Sequence, residues 1–345
     1  MSALSTIKFK NPRAQHNFQG RTCSITGVGS YVPAKILTNA DLEKIVDTSD
    51  EWITTRTGIK ERRVAAKDEF TSDMAVKAAQ RAMKMAGATA EQIELIVVAT
   101  ITPDMPFPAT ACLVQQKIGA RRAAAFDLEA ACSGFIYGLE IGQQFIMSRT
   151  YDTVLVIGAE KLSSIVDYAD RNTCVLFGDG AGAAILQNRP NAHGLLTAVM
   201  GADGSKGNLI HMPGGGSRRP ATVDTVAAKL HYLQMDGRET FKNAVQAMCT
   251  AAKEALRRCE LDIAKIKCVI PHQANQRIID AVGKRLGVAP EQMFINLDRY
   301  GNTSAAAVAI ALDEAVASGK IQRGDLVLLI VFGAGLTWGA AVIEW

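Results

Sequence analysis

Cys132 is the side chain in this sequence best placed to act as a nucleophile. In AAFDLEAACSGFIYGLEIG, a predicted strand from Ala124 to Leu128 runs through Ala130 and Ala131 into a predicted helix beginning near Ser133. A cysteine there meets unpaired backbone N–H groups and the positive end of the peptide dipoles, so its pKa is expected to fall. The small neighbours Ala131 and Gly134 leave room for an acyl group. His272 follows the predicted strand KCVI in PHQANQRIID, with Pro271 ending the strand and Asn275 or Gln276 opening the next helix. The carboxyl end of a buried strand is where α/β proteins hold ligands. Asn302 occupies the turn of DRYGNTSAAAVAIAL, ahead of a small-residue helix. Singly, His272 reads as a hydrogen-bonded loop residue and Gly-Asn-Thr-Ser as a helix N-cap. Combined with Cys132 they make one site for covalent catalysis, a nucleophile faced by two polar donors.

The elements that position these residues follow a duplicated plan. CSITGVGSYVP from Cys23 is echoed by LLTAVMGADGS from Leu195, IELIVVATITPD from Ile93 by IKCVIPHQANQR from Ile266, and VLVIGAE from Val154 by VLLIVFGAG from Val327, at offsets of 172 or 173 residues. A short strand, tight turn and small-residue helix recur between them at an offset of about 170, which puts Asn302 within one position of the repeat partner of Cys132. Continuous apolar runs such as Leu95 to Thr100, Val154 to Ile157 and Leu326 to Val331 suit strands covered on both faces. The spacing of Met74, Ala78, Ala82, Met85 and Ala86 predicts a helix with one buried face. We divide the chain into a polar leader (1–20), a first half carrying the nucleophile (21–190) and a second half carrying the histidine and asparagine (191–345).

Composition excludes several function classes. Of 345 residues 48% are hydrophobic and 21% charged, a balance that supports a large buried core. The net charge of +4 comes without a long basic run, which argues against nucleic acid as a partner. Cysteines at 23, 112, 132, 174, 249, 259 and 268 form no C-x-x-C pair and no zinc-like spacing with histidine, so neither disulfides nor a metal site is expected. Apart from Cys132 they read as small hydrophobes, Cys112 among them as the core of an amphipathic helix. Residues 1–20 lack the apolar centre of a signal peptide, and no apolar run is long enough to span a bilayer. A cytoplasmic protein without a membrane partner is expected. GDGAGA at Gly178 enters a strand rather than a helix, which argues against a dinucleotide fingerprint.

AACSGF, PHQAN, GNTSAA and FGAGLTWG, in that order and spacing, together with DEWITTRTGIKER and FGDGAGAAIL, resemble the β-ketoacyl-(acyl carrier protein) synthase III family from about Ser24 to Trp345. The resemblance implies a thiolase-like duplicated α/β fold, layered αβαβα, with two mixed five-stranded sheets. It implies a decarboxylative Claisen condensation of an acyl-CoA primer with a malonyl-acyl carrier protein (malonyl-ACP), initiating fatty acid synthesis without a further cofactor. Cys132, His272 and Asn302 take the catalytic positions of the family, and the backbone N–H groups of Cys132 and Ala334 its oxyanion hole. Elongating synthases carry a second histidine where this chain has Asn302, and true thiolases a second cysteine in the stretch Val331 to Trp338, which has none here.

The same resemblance places CoA against Trp52, Arg56 and Arg171, whose flat side chains suit an adenine ring and a phosphate. It places the acidic carrier protein against Lys242, Gln273, Ala274, Asn275, Gln276, Arg277, Lys284 and Arg285, where a cationic rim would steer it. An ordinary solvated helix face is the other reading of those charges. A homodimer is implied, with Phe107 limiting the partner's acyl pocket. A specialised condensing or acyl-transfer enzyme of secondary metabolism on the same scaffold would carry the same three residues.

Overall fold

The structure, a computed structural model, describes residues 21–189 and 194–345, so the polar leader and the boundary between the halves lie outside the described residues. Nine strands and five helices position the site. The strands are β1 (Cys23–Tyr31), β2 (Leu95–Ala99), β3 (Ala124–Leu128), β4 (Thr153–Glu160), β5 (Gly180–Asn188), β6 (Leu195–Ala202), β7 (Cys268–Pro271), β8 (Leu326–Gly333) and β9 (Thr337–Glu344). The helices are α1 (Thr71–Ala86), α2 (Gly134–Met147), α3 (Gly237–Arg258), α4 (Gln276–Leu286) and α5 (Ala306–Ala317).

The first sheet runs β1-β5-β4-β2-β3 and the second β6-β9-β8-β7, so the second half repeats the strand order of the first with one strand fewer. In each, the central strands pair in parallel (β4 with β2, β8 with β7) and the strands from the glycine-rich segments pair antiparallel. Five strands in the second sheet were expected, and four are present. The segment that should complete it touches β7 through a single bridge, Val269 to Met293, and the Phe294 N–H bond to Val269 O at 3.0 Å. Beyond Met293 the chain turns into a short helix, Leu297–Tyr300, instead of continuing the ladder.

Strand β4 is buried along its whole length and β8 along all but its first residue, as continuous apolar strands must be when helices cover both faces. Between the sheets lie α2 and α5. Their buried faces join the apolar side chains of both sheets in one core that includes Phe135, Leu139, Val156, Val308, Leu312, Leu329 and Val331. Helix α1 packs Met74, Ala75, Ala78, Ala79 and Ala82 on the outer face of the first sheet. Met85, expected on that face, is exposed. The outer face of the second sheet is covered by α3 and α4 through residues such as Met248, Ala252, Val282 and Leu286. The layers are therefore αβαβα.

The two halves press together at strand ends without side chains. A Cβ on Gly158, in β4, would overlap Ala305 O at the start of α5, and one on Gly333, ending β8, would lie 2.7 Å from Cys132 N. Each half thus brings a bare backbone against the helix entrance of the other. Gly158→Ala is expected to cost about 1–3 kcal/mol through forced backbone displacement. Gly204→Ala, where a Cβ meets nothing within 4 Å, should stay within about 0.5 kcal/mol of the parent. Urea unfolding midpoints measure both, and equal effects at the two glycines would contradict this account of the interface.

Candidate active site

Cys132 lies in a single 3₁₀ turn, Ala131–Ser133, that links β3 to α2. The turn is entered through Ala131 at φ 46°, a left-handed conformation that an L side chain adopts at a cost of about 1–2 kcal/mol. Tertiary contacts hold it there. Thr337 Oγ1 lies 3.0 Å from Ala130 O, 3.1 Å from Ser133 Oγ and 2.9 Å from Ala334 O, tying the elbow to the turn between β8 and β9. The second half has the same elbow: Ser304, at φ 49°, precedes α5. The two left-handed residues are 173 positions apart, the offset of the flanking strands. The structural partner of Cys132 is therefore Ala305, and Asn302 lies ahead of the second elbow, which corrects the expected one-position equivalence.

Asn302 is buried and its side chain has one orientation. Its Oδ1 accepts the Ser304 N–H at 2.8 Å, and since a backbone N–H can only donate, the amide nitrogen is left with both its hydrogens to offer. Its main chain is fixed by the Asn302 N–H bond to Leu176 O at 2.8 Å and by the Gly178 N–H bond to Asn302 O at 3.1 Å. His272 follows β7 directly and is 4% exposed, with its N–H bonded to Ile330 O at 2.7 Å. Its ring Nδ1 is buried with no hydrogen-bond partner. A bare buried lone pair is less costly than a bare buried N–H, so the proton belongs on Nε2.

Cys132, His272, Asn302, Ser304 and Ala334 line one cavity of ≈ 140 Å³, walled mainly by apolar side chains such as Leu233 and Met248. Burial there opposes charge. It pushes the Cys132 thiol up to about 12, against a lowering contribution from Ser304, and holds the His272 imidazole down at about 4. The expected depression of the thiol pKa is thus reversed: loss of water outweighs the turn's N–H groups, and the resting site holds a neutral thiol beside a neutral imidazole. Cys112, expected in a core, is exposed on the helix Thr110–Ile118, while Cys23, Cys174, Cys249 and Cys268 are buried as expected.

At the outer end, the Arg56 guanidinium lies 4.7 Å and that of Arg171 5.2 Å from the centre of the Trp52 ring. Two stacked contacts need roughly 7 Å, so a base sandwiched by Trp52 and Arg171 must part them. Asn275 caps α4 by accepting the Arg277 N–H at 2.9 Å and donates to Arg56 O at 3.2 Å, joining the two expected binding surfaces. Arg277, Lys284 and Arg285 are exposed along α4, and Lys242 is exposed but paired with Glu239 at 2.6 Å. Gln276 donates to Asp280 at 2.8 Å, and Ala274 lines the cavity. Gln273 departs from its expected place on a carrier surface. It is buried, donating to Pro271 O at 2.7 Å and accepting from Asn296 N and Leu297 N, and so fixes the loop behind His272. Phe107 is 84% exposed and does not line the cavity.

Sequence reasoning missed Thr337 and Ser304, and the buried carboxyl of Glu160 at the end of β4, whose charge acts on the Cys132 thiol. Glu160 left a visible signal, an acid ending the apolar strand TVLVIGAE. Ser304 and Thr337 left none, because their importance comes from contacts across the two halves. Among the described residues there is no cluster of metal-ligating side chains, and no helix is long and apolar enough to cross a membrane.

The chain matches the families described as 3-Oxoacyl-[acyl-carrier-protein (ACP)] synthase III over residues 126–204 and 3-Oxoacyl-[acyl-carrier-protein (ACP)] synthase III C terminal over residues 256–345. It is 57% identical to a beta-ketoacyl-[acyl-carrier-protein] synthase III of Caldanaerobacter subterraneus over 93% of this chain and 97% of that one. It is 55% identical to the protein of the same name from Symbiobacterium thermophilum, over 94% and 98%. The crystal structure of the 3-oxoacyl-[acyl-carrier-protein] synthase III from Aquifex aeolicus superposes with a TM-score of 0.88 at 49% identity, covering 94% of this chain and all of the other.

The buried neutral His272 makes stability depend on pH. Unfolded, it takes a proton near 6.5; folded, only near 4. Stability present above pH 6.5 is lost as pH falls toward 4, because in that window the unfolded chain binds the extra proton. His272→Gln removes this contribution, so its urea midpoint should decline less steeply than the parent's between those pH values. Parallel declines would contradict a buried neutral imidazole.

Proposed function

The chain belongs to the 3-oxoacyl-[acyl-carrier-protein] synthase III family, and from that premise we propose that Cys132, His272 and Asn302 divide between them the two half-reactions of a decarboxylative condensation that initiates fatty acid synthesis. In the first, Cys132 attacks the thioester carbonyl of an acyl-CoA primer. The oxyanion is received by the N–H groups of Cys132 and Ala334, and CoA leaves the acylated enzyme. In the second, malonyl-ACP enters. His272 Nε2–H and Asn302 Nδ2–H donate to its thioester carbonyl, carbon dioxide departs, and the resulting enolate carbon attacks the acyl-cysteine to give 3-oxoacyl-ACP.

The observation that carries this reading is the fixed polarity of the two donors. Asn302 turns its amide hydrogens away from Ser304, and His272 is a neutral donor. Charge developing on an enolate oxygen in an apolar cavity is stabilised most by neutral donors already aimed at it. A protonated imidazole would raise the cost of burial without adding a hydrogen bond. Trp52, Arg56 and Arg171 serve the CoA nucleotide on this reading, and Arg277, Lys284 and Arg285, with Lys242 and the Asn275 cap, face the acidic carrier. The exposure of Phe107 favours a second copy of the chain as the group that covers it.

His272→Ala and Asn302→Ala should still accept an acyl group from acyl-CoA but release carbon dioxide from malonyl-ACP about 10²–10³-fold more slowly, the loss expected for a single oxyanion donor. Unimpaired release by both variants would reject the pair. In the same assay Arg277→Glu should raise KM for malonyl-ACP several-fold and leave KM for the primer alone. An unchanged ratio would remove Arg277 from the carrier surface.

A further inference from the structure

Acylation of Cys132 requires an acceptor for the thiol proton. Cys132 must lose it to attack, and the neighbouring His272 is a poor base, held far below its ordinary range by burial. One other ionisable group is buried beside the thiol. Glu160, at the end of β4, is fully buried, and its carboxylate accepts from Thr102 Oγ1 at 2.6 Å, Thr100 Oγ1 at 3.2 Å and Ile101 N at 3.1 and 3.3 Å. No cation is paired with it among the described residues. Lys161, next in the chain, turns its ammonium away to Ala66 O and Glu69 O.

The Ser304 hydroxyl lines the cavity with Cys132, is buried without a hydrogen-bond partner, and acts to lower both the Cys132 thiol and the Glu160 carboxyl. The left-handed backbone of Ser304 keeps it there: φ is 49°, and its N–H is committed to Asn302 Oδ1. A serine held in this conformation with an unpartnered buried hydroxyl is a local cost that needs a reason.

We propose that Glu160 receives the proton of the Cys132 thiol through the Ser304 hydroxyl, so that acylation runs on a Cys132–Ser304–Glu160 chain separate from the His272–Asn302 pair. Ser304 passes its own proton to the Glu160 carboxylate as it takes that of Cys132, and the thiolate forms a bond to the primer's carbonyl carbon. When the carbon–sulfur bond to CoA breaks, the leaving thiolate takes the proton back along the same path, giving CoA–SH and restoring the carboxylate. In the second half-reaction the Cys132 thiolate is expelled and takes up one proton. Glu160, protonated from solvent after acylation, supplies it through Ser304 and so returns to the carboxylate that begins the next cycle. Burial lifts the Glu160 carboxyl to about 7, where both forms exist at neutral pH.

This proposal rests on the reading of Cys132 as the nucleophile. The test follows each half-reaction by rapid quench in the full chain: acyl transfer from acyl-CoA to protein, and carbon dioxide release from malonyl-ACP without primer, which needs no deprotonated Cys132. Glu160→Gln keeps the size and an acceptor for Ile101; Ser304→Ala removes the hydroxyl and keeps the N–H that orients Asn302. Each should slow acylation about 10²-fold, the lower range for general base catalysis, and leave decarboxylation within about twofold. The double variant should be no slower than the slower single one. Acylation at the parent's rate by both variants overturns the relay, as does an equal loss in both half-reactions, which marks a structural role. Absence of any acyl-protein in the parent would instead sink the nucleophile assignment.

Discussion

Two bare backbones hold the molecule together where the chemistry happens. Gly158 lets β4 lie against the start of α5, and Gly333 lets β8 lie against Cys132 and Ser133. Each contact joins one half's strand end to the other half's helix entrance, so neither elbow is complete without the opposite sheet. The left-handed residues at both entrances, Ala131 and Ser304, are kept in their costly conformation by this packing, with the Thr337 hydroxyl also holding the elbow of Ala131. Fold and site are therefore one constraint. Widening the interface by a methyl group moves Cys132 relative to His272 and Asn302.

Being wedged at the midplane also sets the electrostatics. Water is excluded by apolar walls, and the ionisable groups respond as burial requires: thiol up, imidazole down, carboxyl up. The thiol and the imidazole therefore carry no charge at rest. On the proposed reaction, charge develops on the tetrahedral oxyanion and then on the enolate, where fixed donors in a low dielectric have their greatest effect. The cationic groups stand outside, around Trp52 and along α4, where solvent screens them and where, on the proposed reading, phosphates and an acidic carrier meet them.

Most of this was legible in the sequence because it depends on periodicity and repetition. The apolar runs gave the strands, the 172–173 offset gave the duplication, and Cys132, His272 and Asn302 stand where those elements end. What escaped depends on tertiary context. The fifth strand of the second sheet has the right composition, but the chain after Met293 is drawn into the turn that carries Asn302. That turn lengthens the second half between strand and helix, which is why the repeat offset seemed shorter there and why Asn302 was matched to Cys132. Gln273 sits in a polar loop and reads as exposed until its bonds to Pro271, Asn296 and Leu297 are seen. The sign of the Cys132 shift was misjudged because helix position is visible in sequence and loss of water is not.

The proposed reaction stands or falls on whether acyl groups pass through the sulfur of Cys132. Intact-mass analysis after mixing with an acyl-CoA, followed by peptide mapping and addition of malonyl-ACP, measures it directly. The expected result is a gain of one acyl group on the peptide holding Cys132, its discharge when malonyl-ACP is added, and its absence in Cys132→Ala. An adduct that persists in Cys132→Ala, or one on Cys132 that malonyl-ACP leaves in place, would contradict it.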